Sequence, residues 1–220
     1  MSDIVWGARA VLGIGTLRSL TLLAALLNFA GTGIFVVVIL NLQLVKTDPL
    51  LIGMVFTAMG VSGLLGAMAA SRVVAKFPSG IVIISGFTWQ LVWMIAINFS
   101  SNFIWILTCF FLAMLSSPSV SAASQGFLLA AVPSEFQGRV GSSVGFISLS
   151  VAILSPLLSG LVLETWGFQK AVMLFSSVYL VVLIYSFFSK ELRQIPKPEK
   201  WEDYAAPVRT YFRDRQNVKA

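Results

Sequence analysis

The chain has 220 residues, of which 57% are hydrophobic and 11% are charged, with a mean hydropathy of +0.89. This composition is typical of membrane proteins and excludes an ordinary soluble domain. The net charge of +6 favours contact with anionic lipid headgroups over nucleic acid, because no basic stripe with interleaved aromatic residues occurs outside the C-terminal tail.

The sequence contains few of the residue types that enzymes use for catalysis. There is no histidine and only one cysteine, Cys109, which excludes internal disulfides, Cys/His metal sites and His-dependent catalytic triads. We therefore expect no enzyme activity, no metal and no cofactor.

Residues 1–18 form a segment before the first long apolar run. Its apolar residues fall near one helical face: Ile4, Val5, Ala8, Val11 and Leu12. This pattern predicts a short amphipathic helix on the membrane surface, and a frayed terminus is the alternative.

Six stretches without Asp, Glu, Lys or Arg follow, each long enough to form a helix that crosses a bilayer core of about 30 Å. They are residues 19–45, 50–71, 81–99, 103–131, 140–163 and 171–188. The first is too long for the core of a signal peptide, so we interpret it as a retained helix. The sequence thus predicts an all-α membrane protein with a six-helix transmembrane bundle at 19–188.

The basic residues predict the orientation of this bundle. Thirteen of the 15 lie in the two terminal segments and in the second and fourth loops, and basic residues accumulate on the cytoplasmic side of membranes. We expect a multi-pass protein of the plasma (inner) membrane with both termini cytoplasmic. Residues 189–220 should form a solvated charged tail, with four aromatic residues at the level of the headgroups: Trp201, Tyr204, Tyr211 and Phe212.

Small residues predict which helices pack closely in a membrane. Glycines are concentrated in the second and fifth stretches, which we expect to be central, whereas the third and sixth should face lipid. Because each of these pairs occupies equivalent places in two triplets of helices, the pattern favours an inverted three-plus-three repeat. The candidate packing or gating residues are Gly60, Gly63, Gly66, Arg72, Pro118, Gly138, Arg139, Gly141, Gly145, Pro156 and Gly160.

Two features at the start of the fifth stretch, one inside it and one just before it, need separate interpretation. GSSVG at 141–145 matches the G-x-S-x-G nucleophile elbow with Ser143 at its centre, but that motif needs a preceding strand and a histidine, so we interpret it as helix packing. Arg139 is placed in a cytoplasmic turn at Pro133–Arg139. It is either an ordinary positive anchor or a contact that changes during gating.

Uncharged polar residues inside the helices are candidates for a substrate path, because each needs a partner or a wet cavity. Asn28 and Thr32 share one face of the first helix, and Ser121 and Gln125 share one face of the fourth, where Pro118 permits a kink. The alternative is hydrogen bonding between helices, at about 0.6 kcal/mol for each bond. The full candidate set is Asn28, Thr32, Phe35, Phe56, Ser121 and Gln125.

Four segments resemble regions of the major facilitator superfamily, in the same order. They are WGARAVLGIGTLRSLTLLAALLNF (6–29), DPLLIGMVFTAMGVSGLLGAMAASRVVAKF (48–77), the run P-x-x-x-x-G-R-V (133–140) and SPLLSGLVLETWGF (155–168). The resemblance is closest to the macrolide-efflux-like and multidrug branch and implies the C-terminal six-helix half of a twelve-helix transporter. One departure is that Ala70 holds the place, four residues after Gly66, where the family's N-terminal half has an acidic residue.

The resemblance implies efflux of a small amphipathic substrate by alternating access, with the first, second, fourth and fifth helices lining the path. Such a half would need a partner in the lipid bilayer, either an N-terminal half or a second copy of itself. The alternative is a non-transporting membrane protein, which would be a regulatory partner or an inactive truncated remnant.

Overall fold

The structure, a computed structural model, describes residues 2–217, with side chains for residues 9–212. Within these residues the chain is helical without a strand, and six helices are long and apolar enough to cross a membrane. These six spans are Gly15–Leu44, Pro49–Lys76, Ser79–Phe99, Phe103–Ala131, Ser134–Trp166 and Phe168–Phe188. The predicted all-α membrane fold is confirmed.

Local signals in the sequence fix several ends of the spans. Asp48 accepts a hydrogen bond of 2.8 Å from the backbone N–H two residues later and precedes Pro49, and Asn102 caps the fourth span in the same way. Gly167 has a φ of +80°, which a glycine adopts without strain. The fifth and sixth spans therefore join through this single residue.

The helices extend beyond the charge-free stretches. The fifth span begins at Ser134, so Gly138 and Arg139 lie inside a helix, and the prediction of a turn at Pro133–Arg139 is wrong. Arg72 likewise lies inside the second span, which continues to Lys76. Long basic side chains carry their charges out to the headgroups, so a helix does not have to end where its first charge occurs.

Two spans are interrupted near prolines. The fourth consists of Phe103–Leu115 and Ser117–Ala131, and the fifth of Ser134–Ala152 and Leu154–Trp166. The breaks lie shortly before Pro118 and Pro156. Proline lacks the N–H that would bond to the carbonyl four residues earlier, and its ring displaces that carbonyl.

The first three spans form one triplet and the last three form the other, and the first helix of each triplet packs with the remaining two helices of the other triplet. The first span packs against the fifth and sixth, the fourth packs against the second and third, and the third also contacts the sixth. This reciprocal arrangement is what an inverted three-plus-three repeat produces.

Hydroxyl groups join the exchanged helices. Ser155 and Ser159 of the fifth span donate hydrogen bonds to carbonyl oxygens of the first at 2.6 and 3.1 Å. Ser62 of the second span donates to the carbonyl oxygen of Phe111 in the fourth at 2.5 Å. Each such bond is worth about 0.6 kcal/mol in a membrane, and each also brings two backbones close together.

Within this chain taken by itself, the second and fifth spans, which the glycines predicted to be central, are less buried than the third and sixth, so their central place in an assembly stays a prediction. In an 18-residue window of each span, 56% of the third and 44% of the sixth are buried, against 17% of the second and 33% of the fifth. Gly66 packs on the fourth span, whereas no described atom lies within 4 Å of a Cβ built on Gly60, Gly63 or Gly160. A glycine permits close approach, but its presence does not show which helix approaches.

The N-terminal helix, Ser2–Gly13, packs along the start of the fifth span. A Cβ on Gly7 would lie 2.6 Å from the carbonyl oxygen of Arg139 and would also meet the hydroxyl of Ser143. The predicted N-terminal helix therefore packs against protein, at the start of the fifth span. We call this end of the bundle the terminal side. Val11 of the predicted apolar face is fully buried and Leu12 is exposed. The side chains of Ile4, Val5 and Ala8 lie outside the described residues.

The tail folds onto the same terminal side, so the expectation of a solvated tail is wrong. Its helices are Lys190–Arg193, Trp201–Tyr204 and Ala206–Asn217. Phe212 is fully buried and stacks on Phe136 with ring centroids 5.3 Å apart, and Trp201 packs edge-on against Phe127 at 6.4 Å. The aromatic residues that suggested contact with headgroups instead cover the ends of the fourth and fifth spans.

Polar contacts hold the tail in place. The guanidinium of Arg209 donates two hydrogen bonds, of 2.7 and 3.1 Å, to the carbonyl oxygen of Ala130 at the end of the fourth span. The Tyr204 hydroxyl donates to the carbonyl oxygen of Glu191 at 3.0 Å. Burial, and then the negative charge of Glu191, raise the pKa of the Tyr204 hydroxyl.

Replacing Gly66 with alanine should destabilise the bundle by about 1–3 kcal/mol, because the added Cβ would overlap the carbonyl oxygen of Leu115. Gly63→Ala, three residues earlier in the same helix, is the matched control and should be neutral or slightly stabilising, since alanine favours helices. The measurement is the thermal unfolding midpoint of each purified variant in detergent. Equal midpoints for the two variants would contradict the packing of the second span on the fourth.

Candidate functional site

A cavity of about 710 Å³ runs from the middle of the bundle toward its terminal side. The first, fourth and fifth spans supply most of its wall and the third adds Ile83, Phe87 and Gln90, while the second and sixth add only Met59 and Tyr179 to the lining. Its size falls in the range of sites for small organic molecules.

Five of the six predicted path residues line this cavity. Asn28, Thr32 and Phe35 come from the first span, and Ser121 and Gln125 face them from the fourth. They meet because the exchange of first helices sets the first and fourth spans on two sides of the same space.

Phe56, the remaining predicted path residue, lies behind the wall of the cavity. Its ring packs edge-on against Phe35 with centroids 5.1 Å apart, and Phe35 in turn contacts Phe110 at 6.2 Å. These three rings form an aromatic cluster at the end of the cavity that is remote from the terminal side.

Several polar side chains in the wall lack a protein partner. No hydrogen bond to another described residue is formed by the side chains of Asn28, Thr32 or Gln125, whereas Gln90 donates to the Ser116 hydroxyl at 3.4 Å, beside the break in the fourth span. Polar groups of this kind in a membrane are satisfied by water or by a bound molecule.

Ser148 was missed by the sequence reasoning. Its buried hydroxyl lines the cavity and has no partner among the described residues. The signal was present, because Ser148 follows Gly141 by seven residues and Gly145 by three and so shares their helical face. Both glycines also line the cavity, where the absence of side chains widens it.

The serine of the apparent nucleophile elbow lies elsewhere. Ser143 does not line the cavity, and its hydroxyl donates to the carbonyl oxygen of Arg139 in its own helix at 2.8 Å. This contact is the ordinary one for a serine inside a membrane helix.

The lining carries no charged residue, and its polar groups are the amides, hydroxyls and backbone of an otherwise apolar wall. Among the described residues, no group of three or more His, Cys, Asp or Glu side chains is placed to hold a metal ion. The wall therefore offers hydrogen-bonding groups beside apolar side chains.

The sequence profile described as Major Facilitator Superfamily matches residues 1–218. The chain belongs to the Major Facilitator Superfamily. Members of this superfamily are transporters, so this is an integral, multi-pass membrane transport protein whose cavity lies where its spans converge. A sequence search of curated proteins finds no match.

The cavity of this superfamily member should be wet in a bilayer. We expect a cysteine at Ser121, in the wall, to react on the order of tenfold faster with a charged thiol reagent than one at Ser85, which is exposed on the outer face of the third span, since thiolates do not form in hydrocarbon. The native Cys109 is fully buried and supplies a low background. The measurement is the rate of modification in vesicles with reagent on both sides, and equal rates for the two variants would refute a water-filled cavity.

Proposed function

We propose that this chain is the C-terminal six-helix half of an efflux transporter from the macrolide-efflux-like and multidrug branch of the superfamily, exporting small amphipathic molecules by alternating access. The observation that carries the proposal is an uncharged, largely apolar cavity in which Asn28, Thr32 and Gln125 have no partner among the described residues. An amphipathic molecule would place its apolar part against the leucine and phenylalanine side chains and pair its polar groups with these three.

The expected orientation would suit the proposed export. The distribution of basic residues favours cytoplasmic termini, and the cavity would then open toward the cytoplasm, where an exporter loads its cargo. The aromatic cluster of Phe35, Phe56 and Phe110 would form the closed end, and these rings would have to separate for release.

A second six-helix unit would complete the path. Support comes from the second and fifth spans, where Gly60, Gly63 and Gly160 have open space around them. Small residues let backbones approach closely in a membrane, so these faces suit another helical bundle. An N-terminal half, in the same or a separate polypeptide, is one partner, and a second copy of this chain is the other.

Coupling to an ion would also depend on that unit. Because the cavity wall carries no carboxylate, a proton-driven exporter of this design would take its titrating acid from the partner.

Loss of the cavity amides should impair transport. Asn28→Leu and Gln125→Leu, each keeping a similar volume, are expected to lower the efflux of a fluorescent amphipathic dye by about fivefold to tenfold, because each removes a hydrogen bond to the cargo. Thr108→Val is the control, since among the described residues this exposed hydroxyl bonds only to the Ile104 carbonyl of its own helix. The measurement is initial efflux rate from vesicles containing the assembled transporter.

Two results of that experiment would count against the proposal. Undiminished efflux in both cavity variants would remove the cavity from the path. No efflux of any amphipathic dye by the assembled protein would favour the alternative of a regulatory partner or an inactive remnant.

Large side chains on the uncovered faces of the second and fifth spans should block association with the second six-helix unit while leaving the chain folded. Gly60→Phe and Gly160→Phe are expected to weaken association with the second unit by more than about tenfold, as overlap in a close helix contact does. Val92→Phe, on the exposed face of the third span, is the matched control. Sedimentation in detergent across a range of concentrations measures association, and the unfolding midpoint confirms folding. Vigorous transport by the isolated monomer would contradict the need for a partner.

A further inference from the structure

An apolar groove runs along the outer face of the third span, away from the central cavity. Its volume is about 680 Å³. Phe187 of the sixth span and Arg193 of the tail bound its terminal-side end. Its wall is one helical face of the third span: Ile81, Ile84, Ser85, Thr88, Trp89 and Val92.

The polar groups of this wall are already satisfied by protein. Ser85 and Thr88 donate to carbonyl oxygens of their own helix at 3.2 and 2.9 Å, and the Trp89 indole N–H donates to the carbonyl oxygen of Leu112 at 2.6 Å. None of them needs water, so the groove suits a hydrocarbon chain. Arg193 is the one charged residue of the lining, is exposed, and forms no ion pair with another described residue.

The backbone holds Arg193 at the mouth of the groove. The N–H groups of Ser79 and Gly80, in the first turn of the third span, donate to the carbonyl oxygens of Pro196 and Ile195 at 3.2 and 3.1 Å. A Cβ on Gly80 would lie 2.7 Å from the carbonyl oxygen of Arg193. The backbone of Arg193 is thus held beside the first turn of the third span.

The length of the groove matches one leaflet. Val92 lies eleven positions after Ile81, which at a rise of 1.5 Å per residue is roughly 17 Å along the helix. Half of a hydrocarbon core of about 30 Å is close to this length.

We propose that this groove binds an anionic phospholipid, with its phosphate on the Arg193 guanidinium and one acyl chain along the third span. The planar fork of a guanidinium matches a phosphate bidentately, and the net negative charge of the headgroup meets a cation that no described carboxylate neutralises. The bound lipid connects the tail to the third and sixth spans.

Quenching of tryptophan fluorescence tests the proposal on the full chain. The protein is placed in vesicles of phosphatidylcholine to which phosphatidylglycerol or phosphatidylcholine with brominated acyl chains is added, and the difference between wild type and Trp89→Phe isolates the signal of Trp89. Half-maximal quenching should need roughly fivefold less brominated phosphatidylglycerol than phosphatidylcholine.

Three variants identify the site. Arg193→Gln should abolish the preference for phosphatidylglycerol, whereas Arg72→Gln, which removes another exposed arginine near the terminal side, should leave it intact. Ser85→Phe, which fills the groove, should reduce the quenching of Trp89 by both lipids. The fold of each variant is checked by its unfolding midpoint.

Equal quenching of the wild type by the two brominated lipids would overturn the proposal. Equal effects of Arg193→Gln and Arg72→Gln would overturn it as well, because they would assign the preference to general surface charge. If Arg193→Gln did not fold, Arg193→Met replaces it, and an unchanged preference in that variant together with undiminished quenching in Ser85→Phe would exclude this groove.

Discussion

The exchange of the first and fourth spans between the two triplets is the constraint on which the rest of the structure depends. In hydrocarbon, burial of apolar side chains drives no association, so the exchange is held by close backbone approach and by hydroxyl bonds. Gly33 of the first span lies directly against the Phe175 ring of the sixth, and Ser159 donates to the Gly33 carbonyl. Because each exchanged helix leaves its own triplet, the two meet at Phe35 and Phe110 and line the cavity from two sides.

The sequence predicts those features that depend on hydropathy or on rare residue types. The six spans follow from the length of the apolar stretches. Polar side chains in hydrocarbon need a hydrogen-bond partner or water, so the sequence also predicts the cavity residues Asn28, Thr32, Ser121 and Gln125. The sequence could not separate Gly66, which meets the fourth span, from Gly63, which meets no described atom. That difference depends on which helices become neighbours. The sequence also does not predict the stacking of Phe212, in the tail, on Phe136, in the fifth span, because the two residues are far apart along the chain and Phe212 lies among charged residues.

The uncovered glycines of the second and fifth spans bear on the proposed partner. Exposed leucine and phenylalanine side chains on a membrane protein do not indicate a protein partner, since acyl chains cover them as well as another helix would. A glycine inside a helix makes the helix less stable than an alanine does, by about 1 kcal/mol, and contact with lipid does not offset this difference. Gly60, Gly63 and Gly160 therefore favour the proposed partner bundle on the second and fifth spans more than the apolar residues around them do.

The terminal segments are attached to the two spans that are broken. Trp201 of the tail meets Gly126, the residue after the cavity amide Gln125, and Arg209 bonds to the end of the same half-helix. The N-terminal helix rests on the start of the fifth span, which contributes Gly141 to the cavity. Each half-helix lies between a break at one end and a terminal segment at the other. The tail and the N-terminal helix therefore pack on the same two half-helices that form the terminal-side part of the cavity wall.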